Sequence, residues 1–114
     1  MHSVKVKIQT NLPVSPALGA AVTTELTALL TREMPPPAAP VASTIESNTR
    51  LVLAGSQEPA AFLEIRSSHL PPQGRTLGHA LAELIHRHLG VPVPRVYVKF
   101  ISSTSDAQRH AAAV

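Results

Sequence analysis

Polar and apolar residues change period along this chain in a way that lays out its elements. From Val4 to Thr10, Val4, Val6 and Ile8 alternate with Lys5, Lys7 and Gln9, the period of a strand with one wet face. Asn11-Leu12-Pro13 ends it, and Ser15-Pro16 then reads as a helix start. A cap hydroxyl accepts a free N–H there, and proline at the first helical position gives up a donor the helix does not use. Leu18, Val22, Leu26, Leu29 and Leu30 recur at threes and fours, predicting an amphipathic helix to about Glu33. Met34 to Pro40 is too rich in proline for helix and reads as a stiff connector or as a lip over a pocket. Val41 to Glu46 reads as the second strand.

The centre of the chain, Leu51 to Ser67, is the seam between two similar halves. Two apolar pieces, Leu51–Ala54 and Ala60–Ile65, flank a turn made of Gly55, Ser56, Gln57, Glu58 and Pro59. Phe62, Glu64 and Arg66 alternate with Leu63, Ile65 and Ser67, again a strand with two unlike faces. Ser68 to Arg75 is a loop, and Thr76 is the expected helix cap. Leu77, Leu81, Leu84, Ile85 and Leu89 form the second apolar stripe. Gly90 falls where a helix C-terminus favours glycine, and Pro92 and Pro94 block continuation. Arg95 to Ile101 is the last strand, and the polar segment from Ser102 to the Ala-Ala-Ala-Val end is expected to be a flexible tail, residues 102–114. The pattern gives an α+β domain, residues 1–114, of two β-α-β units. Its four-stranded mixed sheet carries both helices on one face, leaving the other face to be covered by association.

Composition narrows the chemistry. At 114 residues the chain makes one domain with a modest core. No cysteine is present, which excludes disulfides, thiolate metal sites and cysteine nucleophiles. Phe62, Tyr97 and Phe100 are the only aromatic residues, so the core is aliphatic. The net charge of +3 comes from scattered lysines and arginines without interleaved aromatics, which argues against nucleic-acid binding. No apolar run approaches membrane-spanning length, and the Met-His-Ser-Val-Lys start lacks a signal-peptide core. A cytoplasmic protein without a cofactor or a membrane partner is expected.

Three short motifs occur in order and at suitable spacing: Thr10-Asn11-Leu12-Pro13, Gly55-Ser56-Gln57-Glu58-Pro59, and Arg95-Val96-Tyr97-Val98-Lys99-Phe100. With the element order they resemble the macrophage migration inhibitory factor and D-dopachrome tautomerase branch of the tautomerase superfamily, over about Val4 to Phe100. The resemblance implies a homotrimer with sheets facing inward, and keto–enol tautomerisation of phenylpyruvate-like acids. Some members act extracellularly as cytokines, so the resemblance also leaves leaderless secretion open.

That chemistry requires an N-terminal proline whose free amine is the base. The resemblance places this position on Val4, which here follows Met1, His2 and Ser3, so its nitrogen is an amide without usable basicity. The position of the family's carboxylate-binding lysine falls near Met34, with Arg32 as the nearby cation. A backbone-donating loop position falls on Ser68. The pocket tyrosine is kept as Tyr97, and Lys99 stands where asparagine is usual in the cytokine. The Cys-x-x-Cys pair becomes Ala60 to Leu63, and the aromatic C-terminal lid has no counterpart after Ile101.

Two functions follow from the resemblance: a trimer that binds a small aromatic or aliphatic carboxylate, or serves as an interaction protein, with tautomerase activity lost or very weak; or an active isomerase using Lys99, Tyr97 or His2 instead. Each residue also has a plainer role. Tyr97 alternates with Val96 and Val98 as a packing tyrosine does, and Lys5, Lys7 and Lys99 are read as edge-strand charges. His79, Glu83 and His86 share a helix face at spacings of four and three, suited either to a metal ion or to a wet surface with a Glu83–Arg87 pair.

Overall fold

A computed structural model describes residues 2–34 and 38–102. Its elements are β1 (His2–Thr10), α1 (Pro16–Glu33), β2 (Ala38–Glu46), β3 (Ala61–Ser67), α2 (Gly74–Leu89), a 3₁₀ turn (Val93–Arg95) and β4 (Val96–Ser102). The strands form one sheet in the order β2-β1-β3-β4. β1 runs parallel to β2 and antiparallel to β3, and β3 runs parallel to β4. This is the mixed sheet of two β-α-β units that the pattern predicts.

One face of the sheet is the core. Val4, Val6, Ile8, Leu63 and Ile65 are buried against Val22, Leu26 and Leu30 of α1 and Leu77, Leu81, Leu84 and Ile85 of α2. Lys5, Lys7, Ala42, Thr44, Tyr97 and Lys99 are exposed on the alternate positions of the strands. Both helices therefore cover one face and leave the other open. Among the described residues, the fully buried ones are aliphatic apart from Thr10 and Ser67; Phe100 packs at the margin.

The helix ends follow the local rules at three of four termini. Ser15 Oγ accepts the Leu18 N–H at 3.1 Å, and Gly90, at φ 75°, closes α2 by donating its N–H to the His86 carbonyl. Met34 ends α1, its N–H bonded to the Leu30 carbonyl. The fourth end corrects the expectation for Thr76: α2 starts at Gly74 after Gln73, without a side-chain cap, so Thr76 lies in its first turn.

Several boundaries also move. β1 begins at His2, two residues before the alternation, where His2 pairs with Ala38. β2 begins at Ala38, so the proline-rich stretch contributes to the sheet. Pro40 is tolerated because among the described residues β2 pairs only with β1, and the register shifts between His2 and Val4. Residues 35–37, the rest of the connector or lip, lie outside the described residues, as do residues 103–114 of the expected tail. β4 runs from Val96 to Ser102.

Leu51–Ala54 is not a strand. Leu53 and Ser56 exchange backbone hydrogen bonds of 2.9 and 3.0 Å around Ala54 and Gly55, both at positive φ. Two successive positive φ values make a type I′ turn. Leu51 is buried while Val52 is exposed, so this apolar run supplies one anchor and a turn. Lys5 and Lys7 are also not edge charges, because β1 is an interior strand.

Candidate functional site

The register fixes which ends of the elements meet. Val4 pairs with Val41 on one side and Ser67 on the other, and Ser67 pairs with Ser102. The start of β1, the start of β2 and the ends of β3 and β4 thus share one edge of the sheet. Val4 is wholly buried, its side chain in the core and its nitrogen an amide within the strand.

Met34 is also buried, at 2 % exposure within the core cluster, so its side chain is packed and does not reach into a rim. Arg32 is exposed, and its Nε bonds Glu33 Oε1 at 3.1 Å, which offsets its charge. Both line a cleft of about 370 Å³ between the end of α1 and the start of α2, with Leu29, Pro71, Pro72 and Gln73 on its walls. Ser67 is buried, and its Oγ accepts the His69 N–H at 3.3 Å. Ser68 Oγ lies 3.1 Å from His69 Nδ1.

Tyr97 and Lys99 lie elsewhere. Tyr97 pairs with Phe62 and Lys99 with Glu64, on the open face, whereas Val4 faces the core. Phe62 is five positions along β3 from Ser67, roughly 17 Å at strand rise. Tyr97 is 54 % exposed, and its ring packs at 5.8 Å from Phe62. One chain therefore sets Val4 beside Ser67, the residue before Ser68, and holds Tyr97 and Lys99 apart from them. A site containing both groups requires Tyr97 and Lys99 from another copy. His2 stands at the start of β1, where it pairs with Ala38.

The histidines of α2 separate. His79 Nε2 pairs with Glu83 Oε1 at 3.2 Å, while His86 Nδ1 bonds the Val91 carbonyl at 2.9 Å. Among the described residues no group of three potential ligands could hold a metal. Arg87 turns from Glu83 to α1, where its guanidinium grips both oxygens of Glu25, and His88 Nε2 lies 3.1 Å from the same carboxylate. The hydrogen bonds from Arg87 and then His88 hold the Glu25 carboxyl down to about 2, and Glu25 in turn raises Arg87.

The pattern along the chain missed two arrangements. Ser68–His69 was open to view as a polar Ser-Ser-His run ending a strand. The Glu25 clamp joins positions over sixty residues apart and left no local signal.

At the opposite edge, the three motifs form one hydrogen-bonded knot. Asn11 Nδ2 donates to the Gln57 and Glu58 carbonyls, and Asn11 Oδ1 accepts the Ala60 N–H. Thr10 Oγ1 donates to the Ala60 carbonyl at 2.8 Å. The Arg95 guanidinium donates to the carbonyls of Leu53, Ser56, Glu58 and Pro59.

The family model described as macrophage migration inhibitory factor (MIF) matches residues 4–108. The chain belongs to this family, within the tautomerase superfamily. Its fold agrees with a MIF protein of Leishmania major at a TM-score of 0.80, with 20% identity over 87% of each chain. The MIF homologue of Prochlorococcus marinus gives a TM-score of 0.76, with 20% identity over 86% of this chain and 87% of that one. MIF of Toxoplasma gondii gives 0.75, with 26% identity over 84% and 86%. No curated protein matches the sequence. No helix among the described residues of this MIF-family chain is long and apolar enough to cross a membrane.

Proposed function

We propose that this MIF-family protein is a cytoplasmic homotrimer that binds a small aromatic or aliphatic carboxylate, or acts as an interaction protein, and has lost nearly all proline-dependent tautomerase activity. The observation that carries this reading is the place of Val4. It lies inside β1, paired on both sides and buried, with an amide nitrogen where the chemistry requires a free amine. The family match begins at residue 4, which supports placing the proline position there.

An amide lone pair is delocalised into the carbonyl, so it takes no proton at neutral pH. A terminal amine starts near pKa 7.7–8.0, and a dry, cationic site lowers it into the working range. In the trimer, Tyr97 and Lys99 of a neighbouring copy approach the Val4 edge, and Lys99 attracts the ligand's carboxylate. Attraction of that kind is stronger in a partly dry site than in water.

The deciding experiment restores the base. A variant lacking residues 1–3, with Val4→Pro left N-terminal after removal of the initiator methionine, is assayed for phenylpyruvate tautomerisation. A rise of about 100-fold or more over the unmodified protein is expected from a restored proton-transfer group. An unmodified protein as fast as the variant would show that another residue carries the proton, the second reading, in which the chain is a working isomerase.

A further inference from the structure

The cleft of about 370 Å³ between the end of α1 and the start of α2 combines an apolar lining with one pair of opposite charges. Pro71 and Pro72 line it together with Leu29, Leu77 and Ala80. The proline rings are stiff, so their part of the surface needs no ordering when a ligand arrives. Arg32 and Glu33 are the only charged residues lining the cleft. Neighbouring positions on a helix do not ordinarily face each other. Here Arg32 Nε nevertheless reaches Glu33 Oε1 at 3.1 Å, which brings the two charges together in one cleft. That bond uses Nε and one carboxylate oxygen. Among the described residues, the two Nη groups of Arg32 and Oε2 of Glu33 have no other partner.

The geometry points to this cleft as a binding site for a free α-amino acid with a large apolar or aromatic side chain. The ligand's carboxylate accepts from the Nη pair of Arg32, a planar fork that suits it. Its ammonium donates to Glu33 Oε2, and its side chain covers the prolines and Leu77. One carbon separates the ligand's two charges, and the protein's two charges are already in contact, so the spacings match. With Arg32 offset by Glu33, the cleft has no net charge. A simple carboxylate is drawn by Arg32 and repelled by Glu33, and an amine meets the reverse. A zwitterion is drawn by both. The site is distinct from the one proposed at the Val4 edge, because Val4, Ser68, Tyr97 and Lys99 do not line it. Its volume lies in the range of small-molecule pockets, about 300–1,000 Å³. Both charged side chains are exposed to water, so a Kd of about 1 mM is expected.

Calorimetry on the full chain compares L-phenylalanine with 3-phenylpropionate, which lacks the ammonium, and with phenethylamine, which lacks the carboxylate. L-phenylalanine is expected to bind about fivefold more tightly than either, or better. Arg32→Gln should erase its advantage over phenethylamine. Glu33→Gln should erase its advantage over 3-phenylpropionate and strengthen binding of that acid. Both side chains are exposed, so the melting temperature should hold in each variant. Ala80→Leu, which adds bulk to the lining, should weaken all three ligands together. Lys99→Ala should change none of them, since Lys99 lies on the open sheet face. No heat with L-phenylalanine up to about 10 mM overturns the proposal, as do equal affinities for the three ligands. So does phenylalanine binding that Lys99→Ala weakens as much as Arg32→Gln. None of these results bears on the Val4 edge, which is tested separately by turnover in the N-terminal proline variant.

Discussion

Asn11→Ala is the sharpest probe of the hydrogen-bonded knot. The substitution removes two bonds donated to the Gln57 and Glu58 carbonyls, at 3.0 and 2.9 Å, and one accepted from the Ala60 N–H at 3.0 Å. These losses are unequal. Ala60 is wholly buried, so its orphaned N–H costs about 1–3 kcal/mol. The bonds to Gln57 and Glu58 are exposed, and water replaces much of what is lost, leaving about 0.5 kcal/mol each. A destabilisation of about 2–4 kcal/mol is expected, a large share of the roughly 5–15 kcal/mol that holds a domain together. Urea unfolding at fixed protein concentration should show the midpoint falling by about 1–2 M, since the slope for small proteins is about 1–3 kcal/mol per molar. Arg95→Leu gives the second side of a double-mutant cycle. Asn11 and Arg95 share the Glu58 carbonyl, so a coupling of about 0.5–3 kcal/mol is expected. A loss below about 0.5 kcal/mol in Asn11→Ala, or strict additivity with Arg95→Leu, would mean that the loop holds its own shape.

Glu25 has its folded pKa depressed to about 2, so the clamp with Arg87 and His88 stabilises above the unfolded carboxyl value of 4.5 and fades as pH falls toward 2. The melting temperature of the unmodified protein should exceed that of Glu25→Gln at pH 6, with the gap shrinking steadily between pH 4.5 and 2 and narrowing in high salt; a gap independent of pH would refute the assignment. Light scattering at micromolar concentration should give three times the chain mass, and a stable monomer would remove any site that needs Tyr97 from a second copy. Lys99→Ala should weaken phenylpyruvate binding by a few-fold in calorimetry, and an unchanged affinity would make Lys99 a surface charge.

What could be read along the chain were the features set by near neighbours. The alternation Val4–Val6–Ile8 gave β1, and the threes and fours of both leucine stripes gave the helices with their buried faces. Ser15 and Gly90 acted as caps because a cap needs only its own next turn. The errors arose where distant residues overrode local preference. Pro40 reads as part of a connector or lip, yet it lies in β2, which among the described residues has no partner on its outer side to require that N–H. Leu51–Ala54 reads as an apolar piece ahead of the turn, but the Leu53–Ser56 pair and the reach of Arg95 to the Leu53 carbonyl draw Leu53 and Ala54 into the turn itself. Met34 sits in a proline-rich run and reads as rim, while its flexible apolar chain fills the core below. Arg87 had a partner at helical spacing in Glu83 and took a stronger one across the helix pair.

The same division separates family membership from chemistry. The three motifs that carry the resemblance meet in the knot, where Thr10, Ala61 and Val96 align across the sheet. Val4 aligns instead with Ser67, six residues farther along β3, about 20 Å at strand rise. The motifs hold the loop to the sheet and lock the second β-α-β unit against the first, so they specify the fold. The knot stands at the other end of the strands from Val4, the position proposed for the family's base. That chemistry depends on whether one nitrogen is an amine or an amide, a difference that leaves the strand, its register and its burial unchanged. A chain can therefore keep the motifs that carry the family resemblance while the nitrogen at Val4 is an amide, so activity has to be argued from that position rather than from the fold.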